Sequence, residues 1–275
     1  TQEPSEPDPT PGPTPDPTPT PGRRPGRRTP TRLLVVMPSW VGDAVMATPA
    51  LDRLRAALPG ALIGALCRPG IDAIIAGGGF FDEVHTEPRS GVMGPKRAAQ
   101  KVRQRRYDSA LLLTNSFSTA LTARLAGIPR RVGYDRDGRG VLLTHRLTTP
   151  RDAQDPARYA MVPAVNFYWW AAGALLAAFG PADTTPDAAD GPPARWPPES
   201  WTPKRQRMPL VLPPDARLRL GVTADEQAAA DAALTKADAA NQRSAILNPG
   251  GNNPAKRWPT DRFATVARHL QQRHG

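Results

Sequence analysis

Apolar residues recur along this chain in short continuous runs, and helical stripes separate the runs. RLLVVM (32–37) is unbroken and partly β-branched, the pattern of a strand buried on both faces. TPALDRLRAALPG (48–60) has helical spacing, with Thr48 as N-cap, Pro49 at the first position and Pro59-Gly60 as the stop. A short turn from Gly42 kinked at Pro49 fits the same residues. The alternation continues: strand 61–67, a short helix GIDAIIAGG, strand 82–86, a basic helix KRAAQKVRQRR, strand 107–114, a helix STALTARLAGIP and strand 130–134. Strands alternating with helices over short connections predict an α/β fold with a doubly wound parallel sheet. A long helix near 157–179 is expected to close this unit.

Past that helix the pattern changes. Residues 180–209 hold eight prolines, the composition of a loop or insertion outside any core. ADEQAAADAALTKADAA (224–240) is helical by propensity. From SAILN onward a strand, a Gly-rich turn and a helix open a further unit. The expected organisation is a disordered Pro-rich tail over 1–30, a Rossmann-like domain over 31–180, an insertion and interdomain helix over 181–243, and the start of a second domain over 244–275.

The tail contains eleven of the 34 prolines, and its four acids match its four arginines, so the net charge of +11 belongs to residues 31–275. Such a segment has little apolar surface to offset the entropy of ordering. A single cysteine, Cys67, rules out an intramolecular disulfide and suits a reducing compartment. No signal-peptide pattern is visible. The uncharged stretch YAMVPAVNFYWWAAGALLAAF (159–179) is nearly long enough to span a bilayer. Its stripe of Met161, Val165, Tyr168, Ala172, Leu175 and Phe179, diluted by Pro163, Asn166 and Gly173, points instead to a buried core helix.

Several elements can carry chemistry. In an open parallel sheet, ligands sit beyond the carboxyl ends of the strands. Asp43 falls there, six residues after Met37, and a carboxylate in that crevice can take a proton from an attacking hydroxyl. The other reading is that Asp43 complements the next helix terminus. In NPGGNNPAKRW (248–258), Gly250 and Gly251 allow backbone amides to approach an anion and Lys256 adds a point charge. The turn suits a diphosphate, but it is neither a Walker loop nor a dinucleotide fingerprint, and an ordinary loop fits as well. PRRVGYDRDGRG (129–140) places Arg136 and Arg139 beside a strand end, either for an anionic acceptor or in a salt-bridged surface turn. The basic helix puts Arg97, Lys101 and Arg105 on one face, where nucleic acid, an anionic membrane surface or plain solvent could meet it; no recognition motif or aromatic platform supports nucleic acid. The four histidines lack metal-ligand spacing.

Taken in order, MPSWVGDAVMATPAL, TNSFSTALTARLAGIPRRVGYDRDGRGVLLTHRL and NPGGNNPAKRWP resemble the ADP-heptose–lipopolysaccharide heptosyltransferases of glycosyltransferase family 9. The resemblance covers most of 32–148 and again 244–270. It implies a GT-B architecture, with the acceptor on the N-terminal domain and the nucleotide sugar on the C-terminal one. It also implies inverting transfer without an obligatory metal. Carried over, Asp43 is the general base and Lys256 faces the donor diphosphate beside Gly250, Gly251, Asn252 and Asn253. Ser39, Trp40, Arg136 and Arg139 lie on the acceptor side. No cofactor is implied beyond ADP-heptose as donor substrate. The implied partners are that donor, an anionic lipopolysaccharide-core acceptor and a peripheral membrane contact, with no nucleic acid. The expected location is cytoplasmic, peripheral at the inner membrane.

Two departures from the family pattern follow. The Gly-rich loop is one residue shorter than the common form, and the family's Asp-Ser/Thr-Gly-x-x-His donor segment is absent. These 275 residues alone are therefore expected to bind donor weakly and to catalyse poorly. The alternatives are a related transferase using another nucleotide sugar and a non-catalytic binding module.

Overall fold

The computed structural model describes residues 29–88, 91, 93–152, 155, 157–181, 212, 216–236, 245–248 and 257–274. The tail expected over 1–30 therefore lies outside the described residues except at its last two positions. Most of the Pro-rich insertion and all of Gly250, Gly251, Asn252, Asn253 and Lys256 lie outside them as well.

Six strands form one sheet: β1 (Arg32–Val36), β2 (Leu62–Cys67), β3 (Glu83–Thr86), β4 (Ser109–Leu112), β5 (Arg130–Asp135) and β6 (His145–Thr148). Their order is β3-β2-β1-β4-β5-β6, and every pairing is parallel. β1 sits between β2 and β4, with Leu34 in register with Gly64 on one side and Ala110 on the other. Its unbroken apolar run follows from that position. Leu33 and Val35 enter the core on one face of the sheet, while Leu34 and Val36 enter the core on the other. Burying each such side chain contributes on the order of 2 kcal/mol.

The first face carries α1 (Val41–Met46), α2 (Thr48–Ala57), α3 (Ile71–Ala76) and α6 (Ala164–Phe179), and the second carries α4 (Gly94–Arg103) and α5 (Phe117–Leu125). The sheet is doubly wound, as the alternating pattern requires. Asp108 ties its start together. Its Oδ2 accepts from Thr31 N (2.8 Å), Thr31 Oγ1 (2.7 Å) and Arg32 N (3.1 Å). Its Oδ1 accepts from Ser109 Oγ (2.8 Å) and Arg130 Nη2 (2.6 Å). Burial alone would raise its pKa; the Thr31 and Ser109 hydrogen bonds and the Arg130 charge together hold it below the usual carboxylate value.

Four details differ from the sequence reading. Thr48 does not cap α2 but lies in its first turn, after a short α1, which bears out the alternative of a helical turn from Gly42 broken near Pro49. The reason is Pro49, which has no N–H for the Val45 carbonyl four residues back. The Thr48 hydroxyl donates to that carbonyl instead (2.8 Å). β6 had no signal in the sequence: HRLT is an edge strand with one apolar residue and largely exposed side chains. The long helix begins only at Ala164, after Pro163, so Met161 precedes it and is 94% exposed, while Val165, Tyr168, Ala172, Leu175 and Phe179 are buried. Residues 245–248 form no strand; they have no sheet partner among the described residues, and Ile246 is exposed.

No helix among the described residues is long and apolar enough to cross a membrane. α6 instead packs on α1 and α2, with the Arg53 guanidinium 4.4 Å over the Trp169 ring. The basic helix α4 and the turn that follows it are knitted to the β3 edge: Arg97 and Lys101 of the helix pair with Glu87, and Arg105, which lies past the helix end, pairs with Glu83. The segment 216–223 returns along the first face. Arg219 grips Asp52 through Nε (2.9 Å) and Nη2 (2.5 Å), and its backbone N–H reaches Thr48 Oγ1 (3.1 Å). Gly221 meets Gly77 so closely that a Cβ on either would strike the other's backbone. A reciprocal Thr223–Glu226 capping box then starts α7 (Ala224–Lys236), and α8 (Thr260–His274) is the last helix.

Candidate functional site

In a sheet of this order the connections leave β1 and β4 in opposite directions, and a crevice opens beyond their carboxyl ends. A 360 Å³ cleft lies there, lined by Ser39, Trp40 and Asp43 after β1, Arg68 after β2, and Thr114 to Ser116 after β4. Asp43 projects from the first turn of α1. The Tyr168 hydroxyl, on α6, donates to its Oδ1 at 3.2 Å. Burial and the neighbouring Asp43 charge raise the Tyr168 pKa far above the tyrosine range, so the phenol keeps its proton. Trp40 stands at the rim, 71% exposed.

The sheet thus brings Asp43, Ser39 and Trp40 together as the sequence predicts. Arg136 and Arg139 are placed elsewhere. Arg139 is 0% exposed, behind the cleft wall. Its Nε donates to Tyr134 O (2.8 Å), one Nη donates to the Thr114 carbonyl and more weakly to Ser116 O (3.5 Å), and the other reaches Asn115 Oδ1 (3.4 Å). Burial pulls its pKa down to about 10 against the opposing pull of Asp137 and Asp135, which still leaves it charged at neutral pH. Arg139 therefore holds the Thr114–Ser116 loop in place and does not face an acceptor. Arg136 lines a separate 410 Å³ hollow beyond β5 and β6, where it and Arg151 lie on Tyr159 at 4.1 Å from the ring centroid.

Two cleft residues escaped the sequence reading. Arg68 immediately follows a strand's carboxyl end, the same signal that marked Asp43, and it is the cleft's one cationic side chain among the described residues. Tyr168 belonged to the apolar stripe of α6 and was read as core only. Among the described residues no group of His, Cys, Asp and Glu is placed to hold a metal ion.

The doubly wound parallel sheet, with a carboxylate in its switch-point crevice, is a Rossmann-like unit of the kind found in GT-B heptosyltransferases. Solved structures share this fold. The ADP-heptose lps heptosyltransferase II of E. coli superposes with a TM-score of 0.61 over 88% of this chain and 62% of that one, at 23% identity. The glycosyl transferase family 9 protein from Veillonella parvula superposes at 0.65 over 90% and 61%, at 17% identity. In sequence, residues 96–164 and 211–274 match the model of Glycosyltransferase family 9 (heptosyltransferase). Lipopolysaccharide heptosyltransferase 2 of Salmonella typhimurium is 31% identical over 126 residues, 44% of this chain and 36% of that protein. Lipooligosaccharide heptosyltransferase 2 of Haemophilus ducreyi is 26% identical over 252 residues, 87% of this chain and 60% of that protein. Over these two segments the chain is similar to glycosyltransferase family 9. It spans 36% of the length of the Salmonella relative and 60% of the Haemophilus one.

Proposed function

We propose that this chain carries the acceptor side of an inverting heptosyltransferase, which moves heptose from ADP-heptose onto a hydroxyl of the lipopolysaccharide inner core. Asp43 takes the proton of the acceptor hydroxyl as its oxygen attacks the anomeric carbon. The bond from that carbon to the diphosphate oxygen breaks on the opposite face, and ADP leaves with the electron pair. Lys256, beside Gly250, Gly251, Asn252 and Asn253, stabilises the charge growing on the diphosphate. Ser39 and Trp40 hold the acceptor, and Arg68 meets its anionic groups. The displacement uses no cofactor and no metal. A lipid-linked acceptor places the reaction at the cytoplasmic surface of the inner membrane.

The observation that carries this reading is the Asp43 carboxylate, held among the described residues by one side-chain hydrogen bond at the edge of an open cleft beyond β1 and β4. The names of the relatives supply the substrate class. The test is ADP release by the full-length protein supplied with ADP-heptose and a lipopolysaccharide-core acceptor. Asp43→Asn keeps the shape and removes the base, so kcat is expected to fall by roughly 10²–10⁴ with the fold intact. Turnover retained by Asp43→Asn removes Asp43 from the mechanism.

A further inference from the structure

We propose that Tyr168 is the positioning residue of the Asp43 carboxylate, spending one oxygen on a fixed hydrogen bond so that the other faces the acceptor. The proposal rests on the reading of Asp43 as base and adds to it a residue 125 positions away in sequence. A carboxylate on a short helix turns freely about its side-chain torsions, and either oxygen can face the cleft. The Tyr168 hydroxyl donates to Oδ1 at 3.2 Å and is the one side chain among the described residues that bonds it. The donor is itself immobile. Tyr168 is 7% exposed, and Ala171, Ala172 and Leu175 of the same helix are buried in the core shared with α1 and α2. The phenol keeps its proton at any working pH, because burial and the Asp43 charge both oppose its loss. It therefore acts as a constant donor and does not compete with Asp43 as a base.

A purely structural tyrosine predicts something different. If packing were the whole role, phenylalanine would fill the same space, and the core would not register the missing hydroxyl beyond a small change in stability. If the hydroxyl aims Asp43, its loss leaves the base present but loosely held, and displacement of a reacting group by about 1 Å costs on the order of 100-fold in rate.

The experiment compares the full-length protein with Tyr168→Phe, Asp43→Asn and the double variant, measuring kcat and acceptor KM by ADP release. Tyr168→Phe is expected to lower kcat roughly 10- to 100-fold with acceptor KM within about twofold, and to add nothing in the Asp43→Asn background, because both changes disable one unit. A kcat for Tyr168→Phe within about twofold of the parent, while Asp43→Asn is inactive, overturns the positioning role and leaves the base reading standing. A further loss on top of Asp43→Asn also overturns it, since Tyr168 then acts independently of the carboxylate. Full turnover in Asp43→Asn overturns both.

Discussion

Replacing Arg139 with methionine removes the pin that holds one wall of the cleft, and the cost follows from its hydrogen bonds. Two of them are well formed, from Nε to Tyr134 O at 2.8 Å and from Nη1 to the Thr114 carbonyl; the contacts with Ser116 O at 3.5 Å and Asn115 Oδ1 at 3.4 Å are at the limit of hydrogen bonding. A hydrogen bond to a charged group contributes about 1.5–3 kcal/mol net. Methionine also removes the buried charge, whose desolvation offsets part of that gain, so the lower end applies and two bonds come to roughly 3 kcal/mol. For a chain of this size that lowers Tm by about 6–12 °C. Lysine keeps the charge but cannot form the two-sided fork, so Arg139→Lys is expected to lose about half as much. The assay is urea denaturation of the three proteins, analysed at constant m-value. A loss below about 1 kcal/mol for Arg139→Met would refute the pin, because Thr114 and Tyr134 would then be held by something else.

Arg68 should behave in the opposite way, being exposed and facing the cleft. Arg68→Ala is expected to raise acceptor KM roughly tenfold, about 1.4 kcal/mol, with stability within about 0.5 kcal/mol of the parent; an unchanged KM in steady-state assays removes Arg68 from acceptor binding. His85 supplies a pH dependence. It is buried beside the Tyr107 hydroxyl (2.8 Å), which in turn donates to Glu83 (2.6 Å). Burial lowers its pKa below 6.5, aided by Arg105 and Lys101 and opposed by Glu83, so on acidification the unfolded chain takes the proton first. The His85 contribution is therefore complete above about pH 6.5 and is lost as pH falls below that value. In urea titrations between about pH 7.5 and 5.5, His85→Gln should flatten the decline, and an unchanged slope would count against this assignment.

The sheet was legible because β1, β2 and β4 are buried on both faces, and only continuous apolar runs such as RLLVV can occupy that position. β6 was not legible because an edge strand needs one buried face at most, and HRLT has no run to notice. The site divides along a similar line. Asp43 and Arg68 follow strand ends, and position relative to a strand is a local property of sequence. That property raised Asp43 as a candidate, its role as base coming from the family resemblance, and it could have raised Arg68. The roles of Tyr168 and Arg139 depend on contacts across the fold. Tyr168 carries the helical spacing of a core residue, and only the packing of α6 on α1 brings its hydroxyl to a carboxylate. Arg139 sits in a run of charges that looks solvated, yet the turn before it opens with Asp137 and Gly138, both at positive φ, and folds the guanidinium under Thr114. Composition assigned one residue to the core and the other to the surface. The fold keeps the Tyr168 ring in the core but brings its hydroxyl to the cleft, and it buries Arg139: Tyr168 bonds Asp43 Oδ1 on one side of the cleft, while Arg139 bonds the Thr114 carbonyl of the opposite loop from beneath.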